Sequence, residues 1–377
     1  MRIAGRRAAM EQYLGDLVRL ESPSTEPRLQ RPVLEAIADR LSPLGMRVRM
    51  RPGRDSGGML YAATPSRSRD GPAQLLLGHA DTVWPVGTLD TMPLLIEGDV
   101  MRGPGIYDMK AGLAQAVFAL EALHELGLQP RVSPVMLVNT DEEIGSGTST
   151  ATIRRLAPRM NRVFVLEPSL TPAGRLKTTR KGVGRFTITV RGRAAHAGLN
   201  PEEGASAILE LSHVIQELFA LNDPSAGITV NVGQIDGGMR ANVIAPESRA
   251  VIDVRVPTTE DARRVEATIH GLEPTVPGVE LLIEGRVGRP PMEPTPGNRA
   301  LWHLARQAGR CLGLELEEGA AGGASDGNTT SQYTATLDGA GAVGDGAHAL
   351  HEHVRLPELL ERTALLALLL LAPPTKA

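Results

Sequence analysis

Near the amino terminus Met10, Tyr13, Leu14, Leu17 and Val18 recur every three or four positions, the spacing of a helix with one buried face. From about residue 30 to 176, short apolar runs alternate with longer stretches of helical period. Gln74–Leu77, Val135–Asn139 and Val163–Leu166 read as buried strands, and Lys110–Leu126 as a helix between two of them. This alternation predicts an α/β sheet with helices on its faces.

Past Lys177 the texture changes. Gly184–Val190 alternates like a strand and Ala205–Leu221 has helical period; Gly227–Ile235 and Arg249–Val256 read as strands, and Glu260–Leu272 as a helix. The result is a β-α-β-β-α unit of about 110 residues, closed by a stiff segment containing Pro290, Pro291, Pro294 and Pro296. Helix and strand alternation then resumes. The second unit is therefore expected to be inserted into the first, with one domain over 1–178 and 290–377 and the other over 179–289. The apolar run Ala364–Ala372 is far shorter than the roughly 20 residues that span a bilayer, so it reads as a buried helix.

Length supports two domains, because 377 residues exceed the roughly 250–300 at which single cores stop growing. A net charge of −3 supplies no positive field for nucleic acid or an anionic membrane, and an aromatic share of 3% argues against base stacking. Neither class of partner is expected. The single cysteine, Cys311, excludes an intrachain disulfide and a thiolate metal cluster. The amino-terminal stretch lacks the apolar run of a secretory signal, which predicts a cytoplasmic location.

Chemistry gathers where the apolar runs end. Gly78-His79-Ala80-Asp81 follows Leu75–Leu77, at a strand's carboxyl end, where open α/β sheets place their sites. His79 can bind a metal there while Asp81 orients it; the bland alternative is a turn histidine beside a helix cap. Gly103-Pro104-Gly105-Ile106-Tyr107-Asp108 puts Asp108 in a constrained turn opening a helix, where it is either a ligand or an N-cap. Asp141-Glu142-Glu143 follows Val135–Val138, and three adjacent acids need a cation or solvent. Glu167 ends the run Phe164–Leu166. A glycine-rich stretch then carries His348, His351 and His353; His348 lies nearest the turn, with His351 a competitor. Imidazole and carboxylate together suit zinc, cobalt or manganese, and a shared carboxylate can hold two ions about 3.5–4 Å apart.

The segments GHADTV, RGPGIYDMKAG, TDEEIGS, LEPS and the late GDGAH resemble the zinc peptidase family of glutamate carboxypeptidases, aminoacylases, acetylornithine deacetylases and succinyl-diaminopimelate desuccinylases. The likeness runs from about residue 10 to 372 and is greatest to bacterial glutamate carboxypeptidases. It implies an α/β fold: a di-zinc aminopeptidase-like catalytic domain carrying an inserted ferredoxin-like α+β lid through which a homodimer forms. Each subunit would hold two Zn2+, or Co2+ or Mn2+ in their place. His79 and Glu167 would hold one ion, Glu143 and His348 the other, with Asp108 bridging. Glu142 would be the general base and Asp81 the support of His79, and the Asp108–Met109 peptide would be cis.

In the lid, the resemblance implies that His196 reaches the partner's active site and that Asn242 contacts substrate. Arg240 and Arg289 are candidate clamps for a substrate carboxylate, the alternative being two solvated arginines. Asp345, before His348, departs from the family texture and argues against a glutamate preference.

The expected activity is metal-dependent hydrolysis of an amide bond that releases a C-terminal amino acid from a small peptide or N-acyl amino acid. A second reading is an N-acyl-amino-acid deacylase resembling acetylornithine deacetylase. A third, a binding protein without turnover, predicts a damaged ligand set.

Overall fold

The computed structural model describes residues 3–64, 71–170 and 173–374. It divides into two units, residues 1–179 with 294–320 and 325–377, and residues 180–293 with 321–324. Among the described residues no helix is long and apolar enough to cross a membrane.

The first unit is built on a six-stranded sheet in the order Arg47–Arg51, Met59–Ala63, Ser133–Asn139, Ala73–His79, Arg162–Val165, Thr336–Leu337. The last four strands run parallel, and the first two pair antiparallel at one edge. Buried on both faces, the central strands can be continuously apolar, which is why Leu75, Leu76 and Leu77 follow one another without a polar break. Register sets their ends level: His79 lies opposite Asn139, and Leu77 opposite Val165. The acids that follow Asn139 and Val165 thus leave the sheet at the same edge as His79.

Helices cover this sheet. Arg7–Arg19 buries Met10, Tyr13, Leu14, Leu17 and Val18, and the apolar carboxyl-terminal stretch is the buried helix Leu356–Leu371. Ala111–Glu125 packs so tightly that a Cβ on Gly112 would lie 2.0 Å from the Leu166 carbonyl oxygen. A small second sheet, in the order Gly344–Asp345, His353–Arg355, Val100–Arg102, Leu95–Glu97, brings the late histidine loop beside the turn that carries Asp108.

The second unit is a four-stranded antiparallel sheet in the order Thr229–Gly237, Glu247–Val256, Gly182–Arg191, Glu280–Arg289. Helices Ala207–Ala220 and Thr259–His270 pack on one face, with Phe186, Ile188, Val190, Leu218, Ile252 and Val265 in its core. Its chain order is β-α-β-β-α-β. The final strand, Glu280–Arg289, is absent from the sequence reading because Glu280, Glu284, Gly285, Arg286 and Gly288 break the apolar alternation along an exposed edge.

Candidate active site

His79 closes its strand almost wholly buried, and its backbone N–H donates to the Met109 sulfur at 3.3 Å. Nδ1 lies 3.0 Å from the backbone carbonyl of Asp81, which can only accept, so Nδ1 donates there and Nε2 is turned toward the neighbouring carboxylates. Nε2 faces Asp108 Oδ1 at 3.2 Å and Glu167 Oε1 at 3.6 Å. Burial alone drives the ring toward its neutral form, but Asp108, Asp81 and Glu167 outweigh it and hold the His79 pKa well above the ordinary histidine value.

Asp108 sits in the turn Ile106–Lys110, and its peptide with Met109 is cis. No side chain caps the helix Ala111–Glu125, so Asp108 is free of the capping role. Its second oxygen, Oδ2, lies 3.5 Å from His348 Nε2, which is also 3.2 Å from Glu143 Oε2. One carboxylate therefore presents each oxygen to a different histidine. Burial works against the Asp108 charge, but His348 and His79 prevail and hold its carboxyl far below the usual range. The same two acids, Asp108 and Glu143, push the His348 imidazole up to about 10. Burial raises the Glu143 carboxyl, opposed by the hydrogen bond to His348.

His348 adopts a left-handed backbone, φ 61°, after Gly346 at φ 83°. This turn brings its ring to Asp108 and Glu143 although the side chain stays half exposed, whereas His351 is exposed and His353 Nδ1 turns back to the His351 carbonyl at 2.9 Å.

Asp81 is fully buried and organises the acidic loop. Its Oδ1 accepts from the Glu142 N–H at 3.2 Å, and its Oδ2 from the Glu143 N–H at 3.1 Å and the Ser24 hydroxyl at 2.8 Å. The carboxylate stands 3.5 Å from His79 Nδ1, so its contact with the ring is weaker than that of its own backbone carbonyl. Ligand atoms of His79, Glu142 and Glu167 lie within 4.8 Å of one another, as do those of His79, Asp108 and Glu143.

The donor set fits divalent cations. Two imidazoles and four carboxylates converge, and Glu143 Oε1 is buried with no hydrogen-bond partner, which is costly unless a cation meets it.

Several supporting residues carried no signal in the sequence. Lys177 Nζ stands 3.8 Å from Glu167 Oε2 and 4.0 Å from Asp338 Oδ1, steadying Glu167 from behind. Asp326 accepts from Asn139 Nδ2 at 2.6 Å and the Ser146 hydroxyl at 2.6 Å, pinning both ends of the acidic loop. Glu352, wholly buried, accepts from Trp84 Nε1 and three backbone N–H groups of the Asp108 turn. Burial pushes its carboxyl up to about 7 although those donors pull the other way.

In the second unit His196, Arg240 and Asn242 are exposed and Arg289 is half-buried. His196 Nδ1 accepts from the Gly198 and Leu199 N–H groups at 3.2 Å, and the Asn242 carbonyl accepts from the Ala197 N–H at 3.1 Å, so these loops brace each other.

Residues 178–272 match the peptidase dimerisation domain of the M20 family. Carboxypeptidase G2 of Pseudomonas sp. (strain RS-16) is 29% identical over 294 residues, 75% of this chain and 69% of that protein. The chain is a hydrolase of peptide or amide bonds that carries an M20-type dimerisation domain. Succinyl-diaminopimelate desuccinylase of Thioalkalivibrio sulfidiphilus is 26% identical, over 86% of this chain and 89% of the enzyme. The fold of this hydrolase is also that of a dinuclear metal-binding M20 peptidase, the YXEP protein of Bacillus subtilis, with a TM-score of 0.71 at 14% identity over 98% of each chain. The converging ligand groups of this chain fit a metal-dependent hydrolase.

Proposed function

We propose that this hydrolase cleaves an amide bond and releases a C-terminal amino acid from a small peptide or N-acyl amino acid, using two zinc ions. One observation carries the reading: Asp108 turns its two carboxylate oxygens to two different histidines, each beside a further carboxylate. His79 and Glu167 would hold one ion, His348 and Glu143 the other, and Asp108 would serve both. Bound ions of this kind supply positive charge that polarises a carbonyl and makes water acidic near neutral pH.

The chain's own groups do the proton work. Glu142, held beside His79 and Glu167 by its backbone bond to Asp81, takes the proton of the attacking water and passes it to the leaving amine. His79 is kept as an Nε2 ligand by the Asp81 carbonyl. We assign His196 to stabilising the tetrahedral oxyanion across a homodimer, Asn242 to the substrate backbone, and Arg240 and Arg289 to its carboxylate. The dimerisation-domain match supports the dimeric part of this assignment.

N-acyl-amino-acid deacylation is the second reading, favoured by the desuccinylase likeness, which covers more of the chain than the carboxypeptidase likeness does. The test is amino-acid release by zinc-loaded protein from folate-like acyl-glutamates, dipeptides and N-acetyl amino acids, each with a chelated control. Chelator-sensitive release of the C-terminal residue from acyl-glutamates or dipeptides is expected. Turnover of small N-acetyl substrates alone would move the assignment to deacylase, and no release from any of them would refute both.

A further inference from the structure

We infer that Glu352 is a positioning residue that holds Asp108 between its two histidines, so that its carboxylate governs how tightly the centre captures metal. The inference rests on the metal-centre reading above. Glu352 hydrogen-bonds to neither His79 nor His348; its carboxylate bonds to the turn that carries Asp108 and to Trp84.

The geometry is specific. Glu352 Oε1 accepts from the Tyr107 N–H at 2.9 Å and the Asp108 N–H at 3.0 Å. Its Oε2 accepts from the Gly105 N–H at 2.8 Å and the Trp84 indole N–H at 2.7 Å. Gly105 is left-handed at φ 68°, and this reversal converges three amides of one turn on a single carboxylate. A Cβ at that position would also lie 2.4 Å from Thr82 Cγ2.

Glu352 also belongs to the loop that carries His348, four residues earlier, and the next residue, His353, pairs with Arg102 just before the Asp108 turn. The Glu352 carbonyl accepts from the Gly103 N–H at 3.4 Å. Backbone and side chain of one residue therefore tie the loop of one histidine to the turn of the bridging aspartate. Displacing that turn moves both Asp108 oxygens at once.

A carboxylate is required, not merely its shape. Glutamine keeps one accepting oxygen, and its amide nitrogen must then face either the Tyr107 and Asp108 donors or the Gly105 and Trp84 donors. A buried residue with only a packing role would lower stability and leave metal affinity alone, and that difference makes the idea testable.

The experiment is a zinc titration of the chelated full-length chain at pH 8 against a chromophoric competitor, with the thermal unfolding midpoint recorded for each protein. The proteins are the parent, Glu352→Gln, and Leu41→Ala, a fully buried core truncation in the helix Pro27–Leu41. Glu352→Gln is expected to weaken zinc binding about 10–100-fold, the usual effect of losing a group that orients a ligand. Leu41→Ala should lower the midpoint with zinc affinity unchanged. Equal zinc affinity in the parent and Glu352→Gln would overturn the assignment. A parent that binds no zinc would defeat the metal-centre reading itself, which the titration reveals before any variant is compared.

Should Glu352→Gln fail to fold, Trp302→Phe leaves Trp84 as the sole tryptophan. Its emission is expected to shift as zinc binds, because its indole shares the carboxylate that anchors Asp108. A spectrum unmoved by saturating zinc would overturn the inference.

Discussion

Asp81→Asn isolates the residue that organises the acidic loop. In the parent its two oxygens accept from two backbone amides, of Glu142 and Glu143, and from the Ser24 hydroxyl. Asparagine keeps one oxygen, so one of the two amides loses its acceptor and meets an NH2 group. The Ser24 hydroxyl can rotate to accept from that NH2 and so costs little. The loss is then one hydrogen bond to a charged acceptor at a fully buried position, about 1.5–3 kcal/mol. At about 1.4 kcal/mol per factor of ten, the unfolding constant rises about 10- to 140-fold. Both tryptophans, Trp84 and Trp302, belong to the first unit, so their fluorescence during urea unfolding of the chelated protein reports on that unit. The expected result is a lower midpoint at unchanged slope, and a lower kcat in the zinc-loaded enzyme because the loop that carries Glu142 and Glu143 loses one of its two anchors. A variant with the parent's midpoint and the parent's kcat would refute the reasoning.

Glu142→Ala should retain zinc, measured by elemental analysis, while kcat falls about 10²–10⁴-fold, the span of general base catalysis; an active variant would demand another base. In the chelated protein His348 is protonated up to about pH 10, whereas metal needs the neutral ring, so zinc uptake at pH 8 should release protons. The sign follows directly: apparent affinity rises as pH climbs toward about 10, and calorimetry in two buffers of different ionisation enthalpy would contradict this if no proton were released. Phe186→Ala, in the fully buried core of the second unit, should cost about 3–5 kcal/mol by far-ultraviolet circular dichroism; a loss below 1 kcal/mol would contradict that packing. His196→Ala should lower kcat with little change in metal content, and an unchanged kcat would remove His196 from the oxyanion role.

The parts of this molecule legible in the sequence are those whose signal is local. Parallel strands buried on both faces write themselves as unbroken runs such as Leu75–Leu77, and the residue that ends such a run falls at the sheet's edge, which is how His79, the acids after Val138 and Glu167 came into view together. Between His348 and His351 sequence spacing left a choice, because only the left-handed backbone at His348 decides which ring turns toward Asp108 and Glu143. Asp108 posed a similar choice, since a cap and a ligand look alike until the helix start is seen to have no side-chain cap. Glu352, Asp326 and Lys177 were invisible for a different reason: their partners are 244, 187 and 10 or more residues away, and nothing in a buried acid between two histidines announces which turn it will hold. The strand Glu280–Arg289 escaped because an edge strand rich in charge and glycine has the composition of a loop.

The central claim is a centre for two ions sharing Asp108, and the most direct measurement is the zinc content of purified protein reconstituted after chelation, by elemental analysis per chain, alongside Asp108→Ala. The account predicts two ions per chain in the parent and a loss of tight binding at both positions in the variant. A parent that saturates with a single ion, or an Asp108→Ala protein that still holds two, would contradict it.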